Sequence, residues 1–176
     1  MQVPEDILIQ GCIDQDRRFQ KLLYEQYCES MFTLAVRLCA DYQDAEDALQ
    51  EAFIQVFKHI HKFRKESTLG AWIKKIVVRT ALKKSKKTSF PLESIEIADK
   101  EEMFESMIEK PIDIEYLEKC IFSLPQKCRQ VFILAEVEGY SHEEIAELLQ
   151  ISVGTSKSQL HYAKQLLKQK LQPILK

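Results

Sequence analysis

Glycine and proline are scarce in this chain, 4 and 5 among 176 residues. Hairpin turns draw on those two residue types, so the sequence has little means of folding strands back on one another. Long apolar runs are missing too. None approaches the ~20 residues that a bilayer span needs. The opening MQVPEDILIQ has no basic segment followed by an apolar core, so no secretory signal is read there. A cytoplasmic location without membrane insertion is expected. No CxxC pair occurs among Cys12, Cys28, Cys39, Cys120 and Cys128. Most of these sit beside apolar residues in helical patterns and are expected to be reduced and structural. His59 and His61, two apart, point to different sides of a helix, so no metal site is expected. There is no Walker-type glycine loop and no Ser/His/Asp set, so neither an enzyme nor a cofactor is expected.

What is present is charge, and it is segregated. The formal net charge of −2 conceals this. Asp41 to Glu51 holds five acids and no base. Arg64 to Lys87 holds nine bases and one acid, Glu66. Glu93 to Glu118 holds ten acids and two lysines, and Val153 to the end holds five lysines and no acid. An evenly solvated surface mixes its signs. Alternating blocks point to separate surfaces for separate partners.

The hydrophobic pattern is helical throughout. Phe19, Leu23, Tyr27, Met31, Leu34 and Leu38 recur at helical spacing. Asp41 is placed to cap the next helix, DAEDALQEAFIQVFKHI. A third pattern starts near Ser67 or Thr68 with LGAWIKKIVVRTALKK. The pattern fails over roughly 84–111, where a short helix around Glu101 to Ile108 is the only candidate element. It returns with IEYLEKCIFSL, then a helix starting near Ser123, Pro125 and Gln126 that Gly139 stops. Ser141 with Glu144 forms a capping box for HEEIAELL, and Ser152 caps the final helix. The expected fold is all-α: helical domains at 1–87 and 113–176, joined by a flexible linker at 88–112.

A short helix, a tight turn and a longer helix make the C-terminal domain a candidate helix-turn-helix. In the last helix Val153, Ser156, Leu160, Ala163 and Leu167 share one stripe at 100° per residue. Lys157, Ser158, His161, Lys164, Gln165 and Lys168 share another, with donors for phosphates and base edges and no acid to repel them. A solvated face of an ordinary helical hairpin is the plainer alternative.

The other two charged helices are also two-faced. Ala45, Leu49, Ala52, Phe53, Val56, Phe57 and Ile60 form a core stripe. Asp44, Asp47, Gln50, Glu51 and Ile54 lie opposite, where solvent explains the acids but not the isoleucine. Trp72, Lys75, Arg79 and Lys83 form one stripe, flanked by Ile73, Ile76, Val77 and Thr80, which can pack. A ring within a row of cations suits single-stranded DNA, since bases stack on rings and cations follow the backbone. Phe63 and Tyr42 are candidates for further rings. Trp72 as simple core remains the competing reading.

In this order, these blocks resemble the bacterial sigma factors of the extracytoplasmic-function (ECF) group. DAEDALQEAFIQVFKHIHKF is similar to that family's region 2.2. STLGAWIKKIVVRTALKK is similar to its regions 2.3 and 2.4. LPQKCRQVFILAEVEGYSHEEIAELLQISVGTSKSQLHYAKQLL is similar to its region 4. The resemblance implies a subunit that binds RNA polymerase core and directs promoter-specific initiation by reading the −10 and −35 elements. It implies that Asp44, Asp47, Gln50, Glu51 and Ile54 meet the β′ clamp, with further contact to the β subunit. It implies that the Phe63–Thr68 loop, Trp72, Lys75, Arg79, Thr80 and Lys83 capture the melted −10 strand. It gives the duplex −35 element to Thr155, Lys157, Ser158, His161 and Tyr162, along the same face as Lys164, Gln165 and Lys168. An anti-sigma factor is implied as a further partner.

The chain departs from the common V-G-T-V-K-S-R-L-H-R-A-R pattern at Ser156, Gln159, Tyr162 and Lys164. Ser156 faces the packing stripe, where a small loss of packing is expected. Gln159 is placed near the rim, where an arginine's phosphate contact is lost. Tyr162 lies nearer the reading surface and lacks arginine's bidentate contact to guanine. Arg79 stands where relatives often carry asparagine. Two readings compete with the sigma factor: a stand-alone helix-turn-helix regulator, and an interaction protein whose basic helix packs on acidic partners.

Overall fold

The computed structural model describes residues 3–88 and 114–172. The expected linker past Thr88, and the short helix expected at 101–108, lie outside those residues. Among the described residues all regular structure is helical, as the pattern implies. The chain divides into two compact units, Met1–Ser89 and Phe90–Lys176.

The first unit holds α1 (Glu5–Ile13), α2 (Arg17–Cys39), α3 (Tyr42–His59), a 3-10 turn (Ile60–Lys62) and α4 (Leu69–Thr88). The break between α1 and α2 uses no glycine or proline. Gln15 turns at φ 59°, and the Asp16 carboxylate accepts from the Arg18 N–H at 2.9 Å. Gly11 then lets α1 lie against α2, because a Cβ there would stand 2.2 Å from the Phe19 ring. Asp41 caps α3 by accepting from the Asp44 N–H at 2.8 Å, and Thr68 caps α4 through the Ala71 N–H at 3.2 Å. α3 packs on both α2 and α4. Their shared core includes Leu23, Leu38, Val56, Ile60, Leu69, Ile73, Val77 and Val78, all fully buried. Each such side chain contributes about 1.5–3 kcal/mol.

The second unit holds α5 (Ile114–Phe122), α6 (Gln126–Phe132), a π turn (Ile133–Val137), α7 (His142–Leu149) and α8 (Val153–Leu171). The π turn widens the end of α6, with the Glu138 N–H reaching back to the Ile133 carbonyl at 3.0 Å. Gly139, at φ 73°, ends it. Ser141 and Glu144 form the capping box of α7. Gln150 makes the turn at φ 57°, and Ser152 accepts from the Thr155 N–H at 2.9 Å. The core joins Val131, Ile133 and Leu134 to Ile145 of α7 and Leu160, Ala163 and Leu167 of α8. α7, the turn and α8 make the helix-turn-helix that the spacing implies.

Candidate nucleic-acid and protein interfaces

On α3, Asp44, Asp47, Glu51 and Ile54 follow one another at steps of three, four and three. That holds them within about 80° of arc, with Gln50 at its edge. Packing turns Ala45, Ala48, Leu49, Ala52, Phe53 and Val56 inward. Asp47 and Gln50 are exposed, Asp44 and Glu51 half-buried. Ile54 is 64% exposed beside them. The acids are not left to water alone. Lys84 Nζ of α4 stands 3.3 Å from Asp47 and 3.9 Å from Glu51, and Lys83 Nζ stands 3.7 Å from Glu51. The sequence reading did not foresee that pairing. The signal for it was an acidic helix start followed by an antiparallel helix with a basic end.

On α4, Trp72, Lys75, Arg79 and Lys83 share one stripe. Lys75, Arg79 and Lys83 are exposed and Trp72 is half-buried. The Phe63 and Trp72 ring centroids are 5.6 Å apart at 49°. The two rings therefore form one aromatic surface at the start of the cationic row. Thr80 is placed differently. It is 8% exposed and its hydroxyl donates to the Ile76 carbonyl at 2.9 Å. It belongs to the packed flank and not to the row. Tyr42 is also apart. It packs on Phe32 at 5.9 Å at the far end of α3 from Phe63, about 25 Å along the helix.

On α8, Ser156, Leu160, Ala163 and Leu167 face inward. Lys157, Lys168, His161, Gln165, Ser158, Tyr162 and Thr155 follow one another around the outer arc. His161 Nε2 lies 2.9 Å from Gln165 Nε2. With the amide donating, the imidazole proton sits on Nδ1. Ser158 donates to the Gly154 carbonyl at 3.0 Å. Thr155 is exposed, but its N–H is already taken by Ser152. Lys164 lies on the flank, half-buried, with its ammonium 2.8 Å from Glu136 on the π turn.

Two of the sequence departures have internal partners. The Ser156 hydroxyl, fully buried, meets His142 Nδ1 at 2.8 Å, so it is satisfied and ties α8 to the start of α7. Gln159 does not sit free at the rim. Its Oε1 accepts from the Cys128 thiol at 2.7 Å, across to α6. Burial pushes that thiol up to about 11, so it stays a neutral donor. Sequence reasoning also gave no role to Arg129, which follows Leu124 and Pro125 in the stretch LPQKCR. It is buried, and it donates to the carbonyls of Leu124 at 3.1 Å and Phe122 at 3.4 Å. It thereby holds the turn between α5 and α6. The four-residue step from Pro125 was the available clue.

The comparisons with known proteins agree with this arrangement. Residues 23–90 match Sigma-70 region 2, and residues 114–167 match Sigma-70, region 4. The chain is 31% identical to the RNA polymerase sigma-H factor of Pseudomonas aeruginosa, with 92% of this chain and 90% of that one covered. It is 29% identical to the ECF RNA polymerase sigma-E factor of Escherichia coli, covering 99% and 98%. Two solved structures share the fold. One is the sigma factor RpoE in complex with the anti-sigma factor NepR from Bartonella quintana, at TM-score 0.57 and 21% identity, covering 86% and 96%. The other is CnrH in complex with the cytosolic domain of CnrY, at TM-score 0.52 and 18% identity, covering 95% and 96%. Two helical units, one ending in a helix-turn-helix and each matched to a sigma region, define a transcription initiation factor. The chain belongs to the ECF group of RNA polymerase sigma factors.

Proposed function

We propose that the acidic face of α3 docks this sigma factor on the β′ clamp of RNA polymerase, through Asp44, Asp47, Glu51, Ile54 and the edge residue Gln50. Ile54 supports this most directly, because an isoleucine so exposed among carboxylates suits a protein surface better than water. The second unit adds a contact to the β subunit. The Phe63–Trp72 rings and the row Lys75, Arg79 and Lys83 take the unpaired −10 strand. Thr80, being buried, supports that helix from behind. The outer arc of α8 lies in the major groove of the −35 element. There His161, Gln165, Ser158 and Tyr162 stand toward the bases, and Lys157, Lys168 and Thr155 toward phosphates. Lys164, held by Glu136, is a flank contact at most.

The single observation that carries the reading is the ring pair at the head of a cationic row. It is the arrangement that captures bases once they unstack. Strand opening is then driven by capture, and the chain performs no catalytic step of its own. It acts in the cytoplasm, where polymerase and promoter are, and it has an anti-sigma factor as a further partner. Reconstituted transcription tests the proposal. The purified chain added to polymerase core is expected to yield starts at a defined set of promoters. Failure to bind core, or random starts, overturns it.

A further inference from the structure

We infer that α1 braces the strand-capture loop, with Asp6 and Lys65 as the positioning residues. This rests on the −10 role proposed above for that loop. Residues 63–68 are fixed at both ends. The Phe63 N–H reaches the Ile60 carbonyl at 3.0 Å and its ring lies on Trp72. Thr68 caps α4. Between those ends Lys65 takes φ 59°, a conformation that a lysine rarely adopts. Its ammonium pairs with the Asp6 carboxylate in the first turn of α1, 59 positions earlier in the chain.

The brace has a firm footing. The missing side chain of Gly11 seats α1 against Phe19 of α2. Tyr27 of α2 lies under the first turn of α4, 3.0 Å from where a Gly70 Cβ would stand. The start of α4 thus rests on Tyr27 of α2, and the Asp6–Lys65 pair ties the start of α1 to the loop that leads into α4. The charge of Lys65 is directed at Asp6. The exposed Arg64 and the two rings are left for the strand.

The experiment follows promoter opening by holoenzyme with 2-aminopurine in the −10 non-template strand. Asp6→Asn and Lys65→Gln are each expected to slow opening about two- to five-fold, the reach of one exposed ion pair. The double variant is expected to be no slower than either single one, because both remove the same contact. Asp6→Glu should recover most of the rate. Glu5→Gln, which removes a neighbouring charge from the same helix start, should leave it unchanged. Core binding and binding to a −35 duplex should not move in any variant. Normal or faster opening with Asp6→Asn overturns the inference, since Lys65 would then be a DNA contact released by the change. Additive losses in the double variant overturn it too. A wild-type chain that opens no promoter defeats the proposed function instead, so the two failures are distinct.

Discussion

Lys84 Nζ stands 3.3 Å from the Asp47 carboxylate and reaches Glu51 at 3.9 Å, so one cation of α4 bridges two acids of α3. In the docking proposed above, it would compete with the cations that polymerase brings to those acids. Lys84→Gln is therefore expected to tighten core binding about two-fold, while costing at most ~1 kcal/mol of stability. Glu51→Lys places a cation where the acid stood, and is expected to weaken core binding at least about ten-fold, equivalent to ~1.4 kcal/mol. Titration of labelled chain with core polymerase checks both. Unchanged binding with Glu51→Lys would remove α3 from the interface.

Gly11→Ala tests the seat of α1. The added methyl would stand 2.2 Å from the Phe19 ring, so α1 or the ring must shift. Overpacking of this kind costs about 1–3 kcal/mol. In a domain of this size that lowers the melting temperature by roughly 4–8 °C per kcal/mol. Thermal unfolding followed by circular dichroism reads it directly.

His59 sets a pH dependence. Its Nδ1 is buried without a partner. Burial first, then the charges of Lys62, Lys58 and His61, hold its pKa below the ordinary imidazole value. The unfolded chain therefore takes up the proton before the folded one does. The neutral-form advantage is complete above about 6.5 and is lost as pH falls through the lowered value. Denaturant unfolding from pH 8 down to pH 5 should show stability declining below that point. His59→Leu should flatten the decline.

Tyr162 tests base reading. It sits on the outer arc of α8, half-buried and short of a bidentate donor pair. Tyr162→Arg is expected to add a guanine preference at one −35 position, about 1–3 kcal/mol between matched and mismatched duplexes. Holoenzyme binding to a panel of −35 variants measures it. An unchanged panel would place Tyr162 off the base edges.

The helix starts were legible because caps are local. Asp41, Ser141 with Glu144, and Ser152 each satisfy an amide three residues on, and the sequence alone brings such pairs together. The inward stripes of α3 and α8 were legible from their period. The turn after α1 was not, because Gln15 adopts a left-handed conformation that favours other residues. Lys84 with Asp47, Ser156 with His142, and Gln159 with Cys128 were not legible either. Each pair depends on how two separate helices pack on one another. Thr80 shows the reverse: its spacing set it with the packing residues, where the structure buries it, and only the resemblance had placed it among the −10 contacts.

The lysines of α8 divide by what holds them. Lys157 and Lys168 are exposed on the outer arc, whereas Lys164 is half-buried 2.8 Å from Glu136. A lysine that neutralises a phosphate releases a counterion, so losing it lowers the salt slope of DNA binding by about 0.9. Lys157→Gln and Lys168→Gln are each expected to lower the slope by nearly that much. Lys164→Gln should lower it by less than half as much, because Glu136 already offsets part of its charge. Anisotropy of a labelled −35 duplex, titrated across a range of KCl concentrations, separates the three. A full loss of slope with Lys164→Gln would mean that the lysine leaves Glu136 for phosphate on binding. Glu136→Gln should then tighten binding without changing the slope.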